Sequence, residues 1–281
     1  MTERGGRLAR PDRRVVVTGL AAGLALAAQP AAATEVVTSD DGLDAGPIQV
    51  PAPGGPLPGY QARPKGGTDL PVVLVVQEIF GLHAHIRDVC RRLARQGWLA
   101  CSVELFARHG DVSKLTDIQQ VLGVVAKVPD AEVLADLDAL AAWAGAHGGD
   151  VDRMGITGFC WGGRIVWLYA AHRSGLKAGV AWYGRLRGQA DPLHPRHPLD
   201  VVPELQAPVL GLYGGKDGGI PVADVDAMRA ALAAAGRPGE LVVYPEASHA
   251  FHADYRPSYR AEDAADGARR MAAWFRAHGA A

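Results

Sequence analysis

Gly158-Phe159-Cys160-Trp161-Gly162 decides how this chain is read. The pentapeptide has the Gly-x-nucleophile-x-Gly form of a nucleophile elbow, with cysteine where serine is usual. An elbow turns the chain sharply from strand to helix and leaves the nucleophile exposed above a sheet. Small residues are needed two positions either side because a Cβ there meets the returning chain. The flanks agree: Met154-Gly155-Ile156-Thr157 is a short, mostly apolar strand candidate, and Arg164-Ile165-Val166-Trp167-Leu168-Tyr169 fits the following helix. Taken alone the pattern also fits a glycine-rich turn around a buried thiol, and 35 glycines make chance matches common.

Working outward, an acid and a base follow in the order that an α/β-hydrolase fold demands, nucleophile then acid then histidine. Pro208 to Gly214 is an apolar strand running into a glycine-rich loop that delivers Asp217. Leu241 to Tyr244 is another strand, and its loop delivers His249. A helix candidate, Val222 to Ala235, separates them. Each candidate thus sits just past a strand's C-terminal end, where open α/β sheets place their sites. Singly, Asp217 would be a turn carboxylate and His249 a loop histidine; three in order point to a triad.

The chemistry is self-consistent. A free thiol has a pKa of about 8.5 and needs help to ionise at neutral pH. A helix starting at Trp161 offers Cys160 positive potential. His249 can take or share the thiol proton, and Asp217 would fix the imidazole tautomer. One oxyanion donor is expected at the backbone of Trp161, the other in the loop after an earlier strand.

That earlier strand is Leu70 to Val76, a continuous apolar run of the buried parallel kind. It ends in Gln77-Glu78-Ile79-Phe80-Gly81-Leu82. This block, with Gly158 to Gly163 and the Asp217 and His249 loops, resembles the dienelactone hydrolase (carboxymethylenebutenolidase) family over about residues 47–279. The resemblance implies the α/β-hydrolase fold, no cofactor, and a small ester or lactone substrate cleaved through an acyl-thioester. It implies that Glu78 activates the thiol when substrate binds, and that the backbones of Ile79 and Trp161 hold the oxyanion. It also implies two arginines for a substrate carboxylate. Arg108, in Glu104-Leu105-Phe106-Ala107-Arg108, matches the first. The second position is Ala253, a departure, with Arg256 and Arg260 close by as substitutes or as ordinary surface charges. An alternative is a scaffold with little catalysis, serving as a binding or redox-sensitive protein.

The rest of the chain sets bounds. Its 281 residues, 48% hydrophobic with net charge −1, suit one domain at residues 47–281 and give no reason to expect nucleic-acid or anionic-membrane partners. Strands and helices alternate: Asp130 to His147 is a long helix, Lys177 to Tyr183 a strand, and Tyr259 to His278 the closing helix. This predicts a mostly parallel central sheet with helices on both faces. His194-x-x-His197 and His249-x-x-His252 invite a metal reading, but the proline-stiffened Pro192 to Pro198 stretch fits a surface loop better than a zinc site. Residues 1–33 are expected to be a signal peptide. Arg13-Arg14 precedes the apolar run Val15 to Ala28, too short for a membrane span, and Ala31-Ala32-Ala33 supplies a cleavage site. The arginine pair points to twin-arginine export to the periplasm or beyond, with a Sec signal as the alternative and a cytoplasmic extension as the third possibility. Residues 34–46 are expected to be a polar linker. Of three cysteines, Cys90 falls on the apolar face of a helix with Ile86, Val89, Leu93 and Ala94, and Cys101 in the strand Leu99 to Val103. Whether these two pair is left open by the sequence.

Overall fold

A computed structural model of the chain describes residues 36–281. The expected leader, with Arg13 and Arg14, lies outside them. Eight strands form one sheet: β1 (Leu43–Val50), β2 (Leu57–Pro64), β3 (Leu70–Val76), β4 (Leu99–Val103), β5 (Gly149–Phe159), β6 (Ala178–Trp182), β7 (Val209–Gly214) and β8 (Gly239–Tyr244). Their order is β1-β2-β4-β3-β5-β6-β7-β8. The strands from β3 to β8 pair in parallel, while β2 runs antiparallel to both β1 and β4. This is the mostly parallel α/β-hydrolase sheet that the sequence predicts.

Among the described residues seven α-helices accompany it: α1 (Ala84–Ala94), α2 (Ile118–Val125), α3 (Asp130–Ala146), α4 (Trp161–His172), α5 (Pro198–Val201), α6 (Val222–Ala235) and α7 (Ala261–Ala277). The alternation of side chains along a strand sorts them by face. On β6, a Cβ added at Gly179 would lie 2.9 Å from Val166 of α4, whereas Trp182, three positions on, meets Gly267 of α7. The central strands are buried on both faces, so β3 reads Val72 to Val76 without a polar residue, all 1% exposed or less.

Two boundaries differ from expectation. The linker at 34–46 is shorter than predicted, because Leu43 to Gly46 already pair with Pro64 to Gln61. Their mixed composition conceals a strand at the sheet edge, where only one neighbour has to be matched. The elbow strand β5 runs from Gly149, five residues before the stretch whose apolar content marks it. Cys90 and Cys101 are both fully buried and are free thiols. Burial pushes the Cys90 thiol up to about 12 and Cys101 well above the ordinary range, so neither is reactive.

Candidate active site

Four strand-end loops meet above the C-terminal edge of the sheet. At the end of β5, Cys160 adopts φ 54° and ψ −113°, a conformation that non-glycine residues hold only under constraint. The constraint is visible. Cys160 N donates to Trp182 O at 3.0 Å, and α4 begins at the next residue. Helix and neighbouring strands approach so closely that a Cβ at Gly162 would lie 2.5 Å from Gln77 O, and one at Gly163 2.5 Å from Trp182 O. The elbow therefore requires its glycines. Trp161 is the first residue of α4, so its N–H has no partner within the helix and points out of its positive end. Cys160 is partly exposed, unlike the other two cysteines.

Asp217, beyond β7, and His249, beyond β8, come together as predicted: His249 Nδ1 lies 2.7 Å from Asp217 Oδ2. Asp217 is fixed in turn, accepting from Gly219 N at 2.8 Å. With Nδ1 so engaged, Nε2 is the nitrogen left for a second group, and it is buried. Burial opposes a charge on this imidazole, but the charge of Cys160 and the bond to Asp217 outweigh it. The His249 pKa is pushed up to about 10. Cys160 and Asp217 are thus the groups that raise the proton affinity of His249.

Glu78 sits past the end of β3 and is 2% exposed. Tyr255 donates its hydroxyl to Glu78 Oε2 at 2.6 Å, and His83 Nε2 lies 3.3 Å from the same oxygen. Burial disfavours the carboxylate, yet His83 and the Arg256 charge hold its pKa well below the usual range. The loop carrying Glu78 and Ile79 is clamped from beneath by Glu104, which accepts from Gln77 Nε2 at 3.0 Å and from Leu82 N at 2.7 Å.

The arginines part company. Arg256 is 6% exposed and stacks over Phe80 at 4.7 Å and Tyr255 at 5.0 Å. Burial works against its charge, but Glu78, Tyr255 and Cys160 push its pKa up, placing it in the same electrostatic unit as the thiol. It is no surface charge. Arg260 is one, pairing with Asp263 at 2.5 Å, and Ala253 is fully buried. Arg108, expected to receive a substrate carboxylate, is instead paired with α3: with Asp136, and with Glu132 at 3.0 Å. Its Nη1 stays buried and unpartnered, but two carboxylates already balance its single charge. The motif around Arg108 gives no sign of this, because the partners lie 24 and 28 residues away.

The histidines of the proline-stiffened loop are structural. His194 Nε2 bonds Val128 O at 3.0 Å, and His197 accepts from Arg164 Nε at 3.3 Å while meeting Gln189 O at 3.2 Å. Arg164 also makes a bidentate pair with Asp130 at 2.6 and 2.7 Å, so this clasp fastens the loop to α4 and α3. His252 is buried and neutral, its pKa driven well down first by burial; it stacks on Phe159 at 4.9 Å.

The model of the dienelactone hydrolase family matches residues 57–279. The chain belongs to the dienelactone hydrolase family. Membership makes it a hydrolase acting on ester or lactone bonds. It is 59% identical over 272 residues to a protein of Methylorubrum extorquens provisionally named a carboxymethylenebutenolidase, covering 96% of this chain and 94% of that one. An Escherichia coli K12 protein with the same provisional name is 56% identical over 259 residues, covering 92% and 96%. Among solved structures, a provisionally named dienelactone hydrolase of Klebsiella pneumoniae superposes with a TM-score of 0.81 at 57% identity, covering 83% of this chain and 98% of that one.

Three residues of this dienelactone hydrolase site escape the sequence motifs. Tyr255 and His83 hold Glu78, as described. Tyr183 follows β6 with φ 38°, is fully buried, and packs its ring 5.1 Å from that of His249. Its hydroxyl has no partner, and burial first, then the charges of Glu78 and Cys160, push its pKa far up, so it stays a neutral donor. Its place just past a strand end was the one available signal.

Proposed function

We propose that the protein cleaves a small ester or lactone through Cys160, His249 and Asp217, passing through an acyl-thioester on Cys160. The observation that carries this is the Asp217–His249 pair at 2.7 Å, whose imidazole pKa is raised by Cys160 at a strained elbow. In the first half-reaction the thiolate attacks the carbonyl carbon, and the backbone N–H groups of Ile79 and Trp161 receive the oxyanion. His249 then gives its proton to the leaving oxygen. In the second half, water attacks the thioester with His249 as base, releasing the acid and restoring the thiol.

Arg256 takes the place of the arginine missing at Ala253 and receives an anionic group of the substrate. Glu78 is too weak a base, at rest, to remove the thiol proton. A substrate carboxylate that draws Arg256 towards itself weakens the clasp on Glu78 and turns its negative charge on the Cys160–His249 unit. Activation of the thiol is thereby tied to substrate arrival. Turnover of p-nitrophenyl acetate and of a panel of lactones tests the proposal. If none is hydrolysed, or if Glu78→Gln turns over anionic and neutral esters at the parent rates, it fails.

We further propose that residues 1–33 direct export by the twin-arginine route, which carries folded proteins and suits a domain with free thiols. Replacing Arg13 and Arg14 by lysines is expected to leave the precursor in the cytoplasm. Unchanged periplasmic recovery favours a Sec signal, and uncleaved protein in the cytosol of the parent strain removes both.

A further inference from the structure

The loop from His249 to Arg260 carries three groups of the site, yet it is neither strand nor helix. It is a run of turns, closed by Ala253 N to Ala250 O at 3.0 Å, Arg256 N to Ala253 O at 3.0 Å and Tyr259 N to Arg256 O at 3.1 Å. Ala250 is held at φ 61°. Phe251 and His252, both buried, pack the loop on the sheet at 5.9 Å from Trp182 and 4.9 Å from Phe159, and the next polar residue, Asp254, ties it to a helix.

Asp254 is 3% exposed, between Ala253 and Tyr255. Its carboxylate meets His85 Nδ1 at 3.1 Å and forms an ion pair with Arg92, both on α1. Burial alone would favour its neutral form, but His85 and Arg92 hold its pKa at about 2. Arg92 is shared: its Nε lies 2.6 Å from Asp88 Oδ2. Asp88 accepts in turn from Thr38 N at 2.6 Å and from Arg91 Nη2 at 2.8 Å, and Arg91 Nε donates to Thr38 O at 2.8 Å. A chain of charges, its two carboxylates buried and its arginines partly exposed, therefore runs from the site loop across α1 to a segment ahead of the first strand. Helix α1 itself begins directly after the Glu78–His83 loop, so this chain ties together the two loops whose side chains face each other at Glu78, Tyr255 and Arg256.

We propose that Asp254 is the positioning residue that locks the loop bearing His249, Tyr255 and Arg256 onto α1, and that Arg92 and Asp88 extend this lock to Thr38, outside the family-matched region. The lock uses the placement of Arg256 beside Cys160 in the proposed site, but not turnover. Its test is alkylation of Cys160 by anionic iodoacetate against neutral iodoacetamide, each displacing iodide. Cys90 and Cys101 are sealed in the core and do not interfere. A well-placed Arg256 favours the anionic reagent, and Arg256→Ala gives the rate ratio without it. In Asp254→Asn the ratio is expected to fall about fivefold towards that value, the scale of one charge contact, with iodoacetamide hardly affected and the melting transition still cooperative. Thr38→Pro, which removes the N–H and the hydroxyl at the far end, should move the ratio about twofold in the same direction. An unchanged ratio in folded Asp254→Asn overturns the proposal, as does equal slowing of both reagents. If Asp254→Asn does not fold, Arg92→Lys, which keeps the charge but loses the fork, carries the same test. Parent-like behaviour of Thr38→Pro removes the extension to Thr38. A protein that cleaves no ester but shows the ratio change keeps the lock and loses the hydrolase proposal.

Discussion

The elbow at residues 158–163 and the loop at residues 249–260 stand side by side over the same sheet edge, and they are built by opposite means. The elbow is held by backbone packed on backbone, where Gly162 and Gly163 leave no room for a methyl group. The loop is held by side chains, by the buried rings of Phe251 and His252 and by the charge of Asp254, which reaches partners 162 and 169 residues distant. One device packs backbone against neighbouring strands and strains Cys160; the other joins side chains and stores electrostatic energy. The proposed nucleophile needs a fixed exposure, which backbone geometry supplies. The proposed base, His249, and Arg256 need a defined charge environment, which side chains supply.

Removing the nucleophile gives the largest effect on the elbow side. Cys160→Ala is expected to end ester turnover, a loss of roughly 10⁶-fold on the scale of other triads, while Cys160→Ser retains a weak remainder. Full p-nitrophenyl acetate activity in the alanine variant breaks the mechanism. Next comes Asp217→Asn, which takes the orienting carboxylate from His249 and is expected to cost about 10⁴-fold in kcat. Its pH profile carries the sign. Asp217 helps to raise the imidazole pKa to about 10, so losing it must move the basic limb down towards 6.5. A limb that stays put would show that Cys160 alone sets the proton affinity.

Gly162→Ala sharpens the contrast through stability. The added methyl meets a carbonyl oxygen rather than a flexible side chain, so urea denaturation is expected to show a loss of about 1–3 kcal/mol. A neutral result would mean that the elbow gives way as easily as a loop. The smallest effects separate the arginines. Arg256→Ala is expected to reduce the preference for a carboxylate-bearing ester over a neutral one about tenfold. Arg108→Ala should leave that preference alone and lower the melting temperature, because it strands Asp136, whose side chain is 1% exposed. A fall in preference for Arg108→Ala would restore it as a substrate contact.

This contrast also explains what the sequence could reveal. Gly158 and Gly162 announce the elbow because both fall within one five-residue motif, although the atoms that Gly162 must clear belong to Val76 and Gln77. The order of Cys160, Asp217 and His249 is legible because each follows an apolar run that could only be a buried strand. Tyr255, His83 and Asp254 carry no such signature, since their meaning depends on Glu78, His85 and Arg92, which only the folded chain brings near. Arg108 misleads for the same reason: its local context resembles the family's, while Glu132 and Asp136 decide its use. The edge strand β1 was hidden inside a predicted linker because a strand with one neighbour and an open side needs no continuous apolar run.

The sealing of Cys90 and Cys101 has a consequence for the life of the enzyme under oxidative stress. Peroxide that converts Cys160 to a sulfenic acid finds no accessible second thiol among the described residues to close a protective disulfide. The damaged sulfur must await an external reductant or go on to the sulfinic acid, from which such a site does not recover. A fold that guards two of its thiols so completely leaves the third to age alone.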